Sequence, residues 1–482
     1  MTENPAKSEQ KRPGTAYQIV VSACLVLLCL AVLLQIYSDI SWAGSVAAMA
    51  LVIFFVAGQG FFKLRERYLL VLSAIVTAVA FALSSDAQVL VFSALERAAF
   101  LAAFMILLAL LRDAAATSAA VLAVGTYLTK QQPGRRYAAL HIGGHALGVV
   151  LNFGALSLLG PLIQRGVRAS GAPDDPVNQI RERRQLCALS RGFSWIIAWS
   201  PTAVAQAMIP VIVIGAEPLR LALMGAVAAV LMFFVGWLED RFRFRKVRAR
   251  LVAQGVHVEV ETPQFPKRDF LWFSGICAVL VGLALAFMAA FRVSMVPALM
   301  LAAPVVTGLW IWIQNRHGEN AVADTLARYR EIALRSVPAG SPEALTLSSA
   351  GYIGLVAGGL FPAAGFTEYL GLSTLPPVAL YILVVALILI ASNAAMPPMM
   401  VVTFLAAMMT ASALPGLDMT MLGFAFAMGW ALNLTGSPFG ASSLILSRVT
   451  GIPGTVLSWH WNGTFTIAAF MVVASLIALF AG

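Results

Sequence analysis

The sequence predicts an all-α polytopic membrane protein, with about eleven transmembrane helices plus re-entrant hairpins in two repeats of inverted topology. Three observations carry this expectation. The chain has 482 residues, 60% hydrophobic and 11% charged, where a soluble domain carries roughly 25% charged residues. Its mean hydropathy is +0.86, and many apolar stretches approach the length of about 20 residues that spans a bilayer. Two of these stretches are interrupted by short runs of small, hydrogen-bonding residues with glycine or proline.

No polar segment is long enough to bury its own core, which excludes added soluble domains. The formal net charge of +10 does not point to nucleic acid, because the Lys and Arg sit in short loops, where they orient helices. Cys24, Cys29, Cys187 and Cys277 show no pair spacing for zinc or redox work and are packing residues. The absence of a Gly-x4-Gly-Lys-Ser/Thr run means that ATP would have to come from a partner.

Residues 1–16 are polar and predicted to be a disordered cytoplasmic N-terminus, and residues 17–238 a first transmembrane half. Its apolar runs are 17–37, 42–62, 68–84, 88–111, 114–129 and 137–163, then 186–214 and 219–238. The first run is too long for a signal peptide and lacks a clear small-residue cleavage site, so it reads as an uncleaved span. The run 186–214 is broken at Ser200-Pro201-Thr202 and again at Pro210. Residues 239–268 are strongly basic, a cytoplasmic linker.

The second half, 269–482, opens with runs at 270–290 and 293–313 and a polar stretch 315–345 holding a surface helix over 321–335. Runs at 347–366, 377–391, 399–413, 419–433, 441–449 and 462–481 follow. The side of the loop 164–186 stays open. With 114–129 re-entrant, Arg181, Arg183 and Arg184 fall outside; with 114–129 and 187–215 both crossing, Lys130, Arg135 and Arg136 do.

The two interruptions in the second half are Ser392-Asn393-Ala394-Ala395-Met396-Pro397-Pro398 and Asn433-Leu434-Thr435-Gly436-Ser437-Pro438-Phe439-Gly440. Backbone freed from a helix inside a bilayer has no water to bond, so such runs persist where they are buried in protein or line a polar cavity. Paired breaks of this kind mark a central solute site. In the first half, Arg112-Asp113, with Thr117 beyond, takes the place of Ser392-Asn393. Ser200-Pro201-Thr202 takes that of Ser437-Pro438-Phe439. The copies need a gap: Asp113 to Ser200 is 87 positions, and Asn393 to Ser437 is 44.

A Ser-Asn-Ala tip followed by a Ser-Pro-Phe-Gly break resembles the ion transporter superfamily. That group includes the divalent anion/sodium symporters, the citrate and arsenite permeases and the membrane subunits of tripartite dicarboxylate transporters. The resemblance implies re-entrant hairpins tipped by Ser-Asn-Thr and helices broken near Thr-Pro, which together hold sodium and substrate carboxylates. It implies such roles for Ser392, Asn393 and the break from Thr435 to Gly440. Ala394 departs from the threonine of the pattern, and Arg112-Asp113 departs from a neutral tip, which leaves the coupling ion open.

The candidate substrate and ion ligands are therefore Ser392, Asn393, Asn433, Thr435, Gly436, Ser437, Pro438 and Gly440. In the first half they are Ser200, Pro201, Thr202, Asp113 and Thr117. Arg191 and Arg448, each near a break, are further candidates for a carboxylate. His141 and His145 share a helix face but lack a third metal ligand, which favours helix packing.

The function expected is secondary active transport of a small anionic solute, an organic carboxylate, coupled to sodium or protons, with no cofactor and no enzymatic activity. The alternatives are the membrane subunit of a binding-protein-dependent transporter and, of another class, a membrane enzyme or assembly subunit acting on lipid-linked substrates. Expected partners are the solute, the bilayer and a second copy of the chain as a homodimer. The expected location is a bacterial inner membrane.

Overall fold

A computed structural model describes residues 15–38, 40–169, 175–245, 249–250, 253, 264–316, 318–361, 367, 369, 371–411, 414 and 416–481. The described residues form helices and turns, with no strand among them. Among them, eight helices are long and apolar enough to cross a membrane.

The first half contains α1 (Thr15–Tyr37), α2 (Ala43–Ala57), α3 (Leu64–Leu83), α4 (Ala87–Ala116) and α5 (Ala119–Thr129). α6 (Arg136–Leu151), α7 (Gly154–Arg168), α8 (Pro176–Ser194), α9 (Val204–Ile212) and α10 (Pro218–Arg243) complete it. The second half has α11 (Lys267–Phe291), α12 (Met295–Asn315), the surface helix α13 (Ala321–Glu331) and α14 (Ser341–Leu360). It ends with α15 (Pro377–Asn393), α16 (Pro398–Ala411), α17 (Met419–Gly436), α18 (Ala441–Thr450) and α19 (Trp461–Ala481). The linker is shorter than the sequence suggests, because α10 continues to Arg243. Most of the rest, 246–263, lies outside the described residues.

Two helical hairpins and two broken helices occur in the same order. Hairpin 1 is α6–α7, turning at Asn152 in the left-handed region (φ 49°). Hairpin 2 is α15–α16, turning at Ala395 (φ 64°) before Pro397-Pro398 restarts the chain as a helix. Each is followed by a broken helix, α8–α9 or α17–α18, and then by a long span, α10 or α19. The first-half tip is therefore Asn152-Phe153, not Arg112-Asp113. From Asn152 to Ser200 is 48 positions, four more than the 44 of the second half. The apolar run 137–163 is most of this hairpin.

Hairpin 1 also accounts for the open question about the basic loops. A hairpin returns the chain to the side it left, so both flanks of α6–α7 share one end of the bundle. There Arg136 feels the charges of Arg181 and Arg184, and Arg184 grips Asp240 near the end of α10 with two bonds, 3.0 and 2.6 Å. Hairpin 2 enters from the other end of α10: Tyr381 near its base bonds Asp418, and Asp418 pairs with Arg220 at the start of α10.

α17 occupies the centre, buried from Thr420 to Gly436. Each hairpin packs on the broken helix of the other half. Gly160 of α7 lies against Leu446, Val449 and Thr450 of α18, and α16 touches α9. α16 backs onto a glycine face of α14, where a Cβ on Gly354 would come within 2.6 Å of the Met400 carbonyl.

Candidate solute site

The tip of hairpin 2 and the break of α17–α18 meet. α15 ends at Asn393, and the last carbonyls of a helix have no partner within it. Ser437 supplies one: its hydroxyl donates to the Ser392 carbonyl at 2.8 Å and accepts from the Phe439 N–H at 3.2 Å. Ser392 and Ser437 are both buried. Pro438 carries no N–H to continue the ladder of α17, so the chain opens until Gly440, where α18 begins. The hydroxyls of Ser442 and Ser443 close the gap by donating back to the Leu434 carbonyl. A Cβ on Gly440 would lie 2.7 Å from the Asn433 carbonyl, so only glycine allows the chain to double back this closely.

Two buried oxygens at this junction, Ser392 Oγ and Asn433 Oδ1, have no hydrogen-bond partner. Leaving such a group unpaired costs about 1–3 kcal/mol, so the pair is a place where a polar ligand gains. Asn393 is held from two sides: its amide donates to the Leu389 carbonyl at 2.9 Å, and its oxygen accepts from the Trp459 indole at 2.8 Å. Thr435 is buried and donates within its own helix to Leu432. Gly436 packs against Thr466 of α19 and Leu389 of α15.

The first-half break is more fully satisfied. The hydroxyls of Ser200 and Thr202 bond each other at 2.7 Å, and Thr202 donates to the Val149 carbonyl of hairpin 1 at 2.5 Å. Gln206 donates to the Ala198 carbonyl at 2.6 Å. Pro201 sits in the open turn between α8 and α9. Trp199 donates its indole to His145 Nε2 at 2.9 Å, so His145 must donate from Nδ1, and it does so to the Gly192 carbonyl at 2.8 Å. His141 is buried with the Tyr137 hydroxyl 3.4 Å from its Nδ1. No group of three metal-ligating side chains occurs among the described residues.

Asp113 and Thr117 are drawn to other elements. Asp113 pairs with Arg112, which reaches Glu343 of α14 at 3.3 Å, and Thr117 donates to Gln314 of α12 at 2.9 Å. None of these bonds goes to a break or to hairpin 2. The aliphatic stem of Arg112 does cover the first tip, where a Cβ on Gly154 would meet it at 2.7 Å.

Arg191 is not available for a carboxylate solute. It is 2% exposed and committed to Glu239 at 2.9 Å, to Asn462 at 2.8 Å and to the Phe465 ring. Arg448 is exposed on α18. Sequence reasoning missed Asn152 and Trp459. For Asn152 the spacing to Ser200 was available as a signal; for Trp459 nothing local points across to Asn393.

No family model and no curated relative matches the chain. A solved structure does: the YdaH transporter of Alcanivorax borkumensis, described as having an unusual topology, aligns with a TM-score of 0.55. The match covers 86% of this chain and 98% of that one at 14% identity. The fold is that of a polytopic membrane protein.

Proposed function

We propose that the chain is a secondary active transporter whose solute site lies at the junction of hairpin 2 with the α17–α18 break. The observation that carries the reading is the pair of orphaned, buried oxygens, Ser392 Oγ and Asn433 Oδ1, between a hairpin tip and a broken helix. Half-helix starts such as that of α18 favour an anion by their free N–H groups and positive dipole end. The same unwound backbone presents carbonyls to a cation. Likeness in fold to a protein named a transporter supports the class.

The solute in this reading is a small anion, an organic carboxylate, and the two halves form repeats of inverted topology. Hairpins entering from opposite ends of α10 support the repeat. Oxygens that lack a donor favour sodium over a proton as the coupling ion, because a cation satisfies them without a protonatable group. The basic end, with Arg136, Arg181, Arg184 and Arg243, faces the cytoplasm of a cell membrane by the positive-inside rule.

The experiment is a thermal-shift screen of the purified protein against organic and inorganic anions, with sodium varied against potassium. Stabilisation by a carboxylate that needs sodium supports the reading. No stabilisation by any anion in either salt removes it.

A further inference from the structure

The segment between α18 and α19 bridges the two parts of the site. α18 ends at Gly451 in the left-handed conformation (φ 75°). Gly454 then passes over the break so closely that a Cβ there would come within 2.9 Å of the Pro438 carbonyl. Residues Val456–His460 form a π-type turn at the head of α19. From it Trp459 reaches the hairpin tip and donates to Asn393 at 2.8 Å. Trp459 is half exposed, whereas the adjoining Ser392 is 1% exposed. The indole therefore stands at the boundary between the surface and the orphaned oxygens.

The other side of the turn is anchored to the first half. The His460 carbonyl accepts from Arg183 of α8 at 3.2 Å and Arg243 of α10 at 3.4 Å. Asn462 donates to the Leu457 carbonyl at 2.8 Å while accepting from Arg191 at 2.8 Å. One short turn thus connects the buried arginine of α8 with the tip of hairpin 2.

We propose that Trp459 is a positioning residue that latches hairpin 2 shut at the basic end of the bundle, and that the π-turn beneath it is the release. A π-turn holds one residue more than an α-turn and recurs at functional sites. Converting it to α-helix shifts the register by one residue, a rotation of roughly 100°. That swings the indole off Asn393 without unfolding α19. The latch serves the site described above and rests on that reading.

The test is hydrogen–deuterium exchange on the full chain in lipid nanodiscs, read at the tip amides of Ala394 to Met396 and at Ser437. Trp459→Phe keeps the ring and loses the donor. Exchange at the tip then rises on the order of two- to tenfold, the equilibrium worth of one hydrogen bond, while α14 exchanges as before. Asn393→Asp and Asn393→Leu both lose the donor to Leu389, but only Asp keeps the acceptor; the tip therefore exchanges faster in Leu than in Asp by that same factor, and adding Trp459→Phe to Asn393→Leu gives no further rise. If Trp459→Phe does not fold, the contrast between Asp and Leu at 393 reads the same bond. An unchanged tip in Trp459→Phe, or an equal rise across all helices, overturns the latch. Neither result touches anion-dependent stabilisation, so the latch and the site fail separately.

Discussion

Ser437 donates its hydroxyl to the carbonyl of Ser392 across 45 positions of sequence, joining a helix break to a hairpin tip. Neither residue touches the other through any feature of its own segment. Ser437→Ala removes the bond, at a cost of about 0.5–1.5 kcal/mol, and leaves the buried Ser392 carbonyl with only the Ala395 N–H at 3.2 Å. Solute uptake by proteoliposomes is expected to be abolished in Ser437→Ala and in Asn393→Ala, with thermal unfolding still cooperative. Normal uptake in both variants would sink the site assignment.

Gly440 and Gly463 make a matched pair. Gly440→Ala places a methyl against the Asn433 carbonyl, an atom that cannot rotate away, whereas nothing lies within 4 Å of a Cβ on Gly463. Gly440→Ala is expected to lower the unfolding temperature and impair uptake. Gly463→Ala, inside α19, is expected to raise stability by roughly 0.5–1 kcal/mol through lost backbone freedom. Equal behaviour of the two would mean that the break is not constrained at Gly440.

The Arg191–Glu239 pair holds α8 against α10 in the interior. Arg191→Leu removes the bonds to Glu239, Asn462 and the Gly236 carbonyl and the packing over the Phe465 ring together, although Glu239 keeps Arg243 at 3.0 Å. Arg191→Leu is therefore expected to be among the most destabilising single changes, measured as the unfolding midpoint in detergent. Glu239→Gln keeps hydrogen bonding to Thr464 and Arg191 in reach and is expected to cost less. Full stability with weakened solute binding in Arg191→Leu would return Arg191 to the site.

Asp418 caps α17 and lies outside the spans, so its titration reads on stability. Burial pushes its carboxyl up, but the Met421 N–H, the Arg220 guanidinium and the Thr420 N–H outweigh burial and hold it below the usual carboxylate range. A depressed folded value means that the contribution is complete above the unfolded value of about 3.9 and fades as pH falls through the lower folded value. The unfolding temperature of wild type is expected to drop below about pH 4 more steeply than that of Asp418→Asn. Parallel curves would show that the cap does not titrate.

Much of the second half was legible in the sequence because its polar residues are out of place. Ser392, Asn393 and Ser437-Pro438 interrupt apolar runs, and a bilayer tolerates that only where partners await. The first half was harder, since its hairpin tip is a lone Asn152 between glycines and leucines. Arg112-Asp113 is the louder signal there, yet its partners are Glu343 and the helices around it. A charge attracts notice whether it serves a solute or a neighbouring helix, and only the identity of its partner separates the two.

The sequence by itself determined that this is a helical membrane protein with polar breaks in its second half, because hydrophobic length and backbone desolvation act locally along the chain. The tertiary structure decided which breaks meet, where the first hairpin turns, and which charges are already committed. Those outcomes depend on contacts between residues dozens or hundreds of positions apart, such as Ser437 with Ser392 and Arg191 with Asn462. Apolar periodicity carries no record of such pairs, since every face of a helix in lipid can be apolar whichever neighbour it meets.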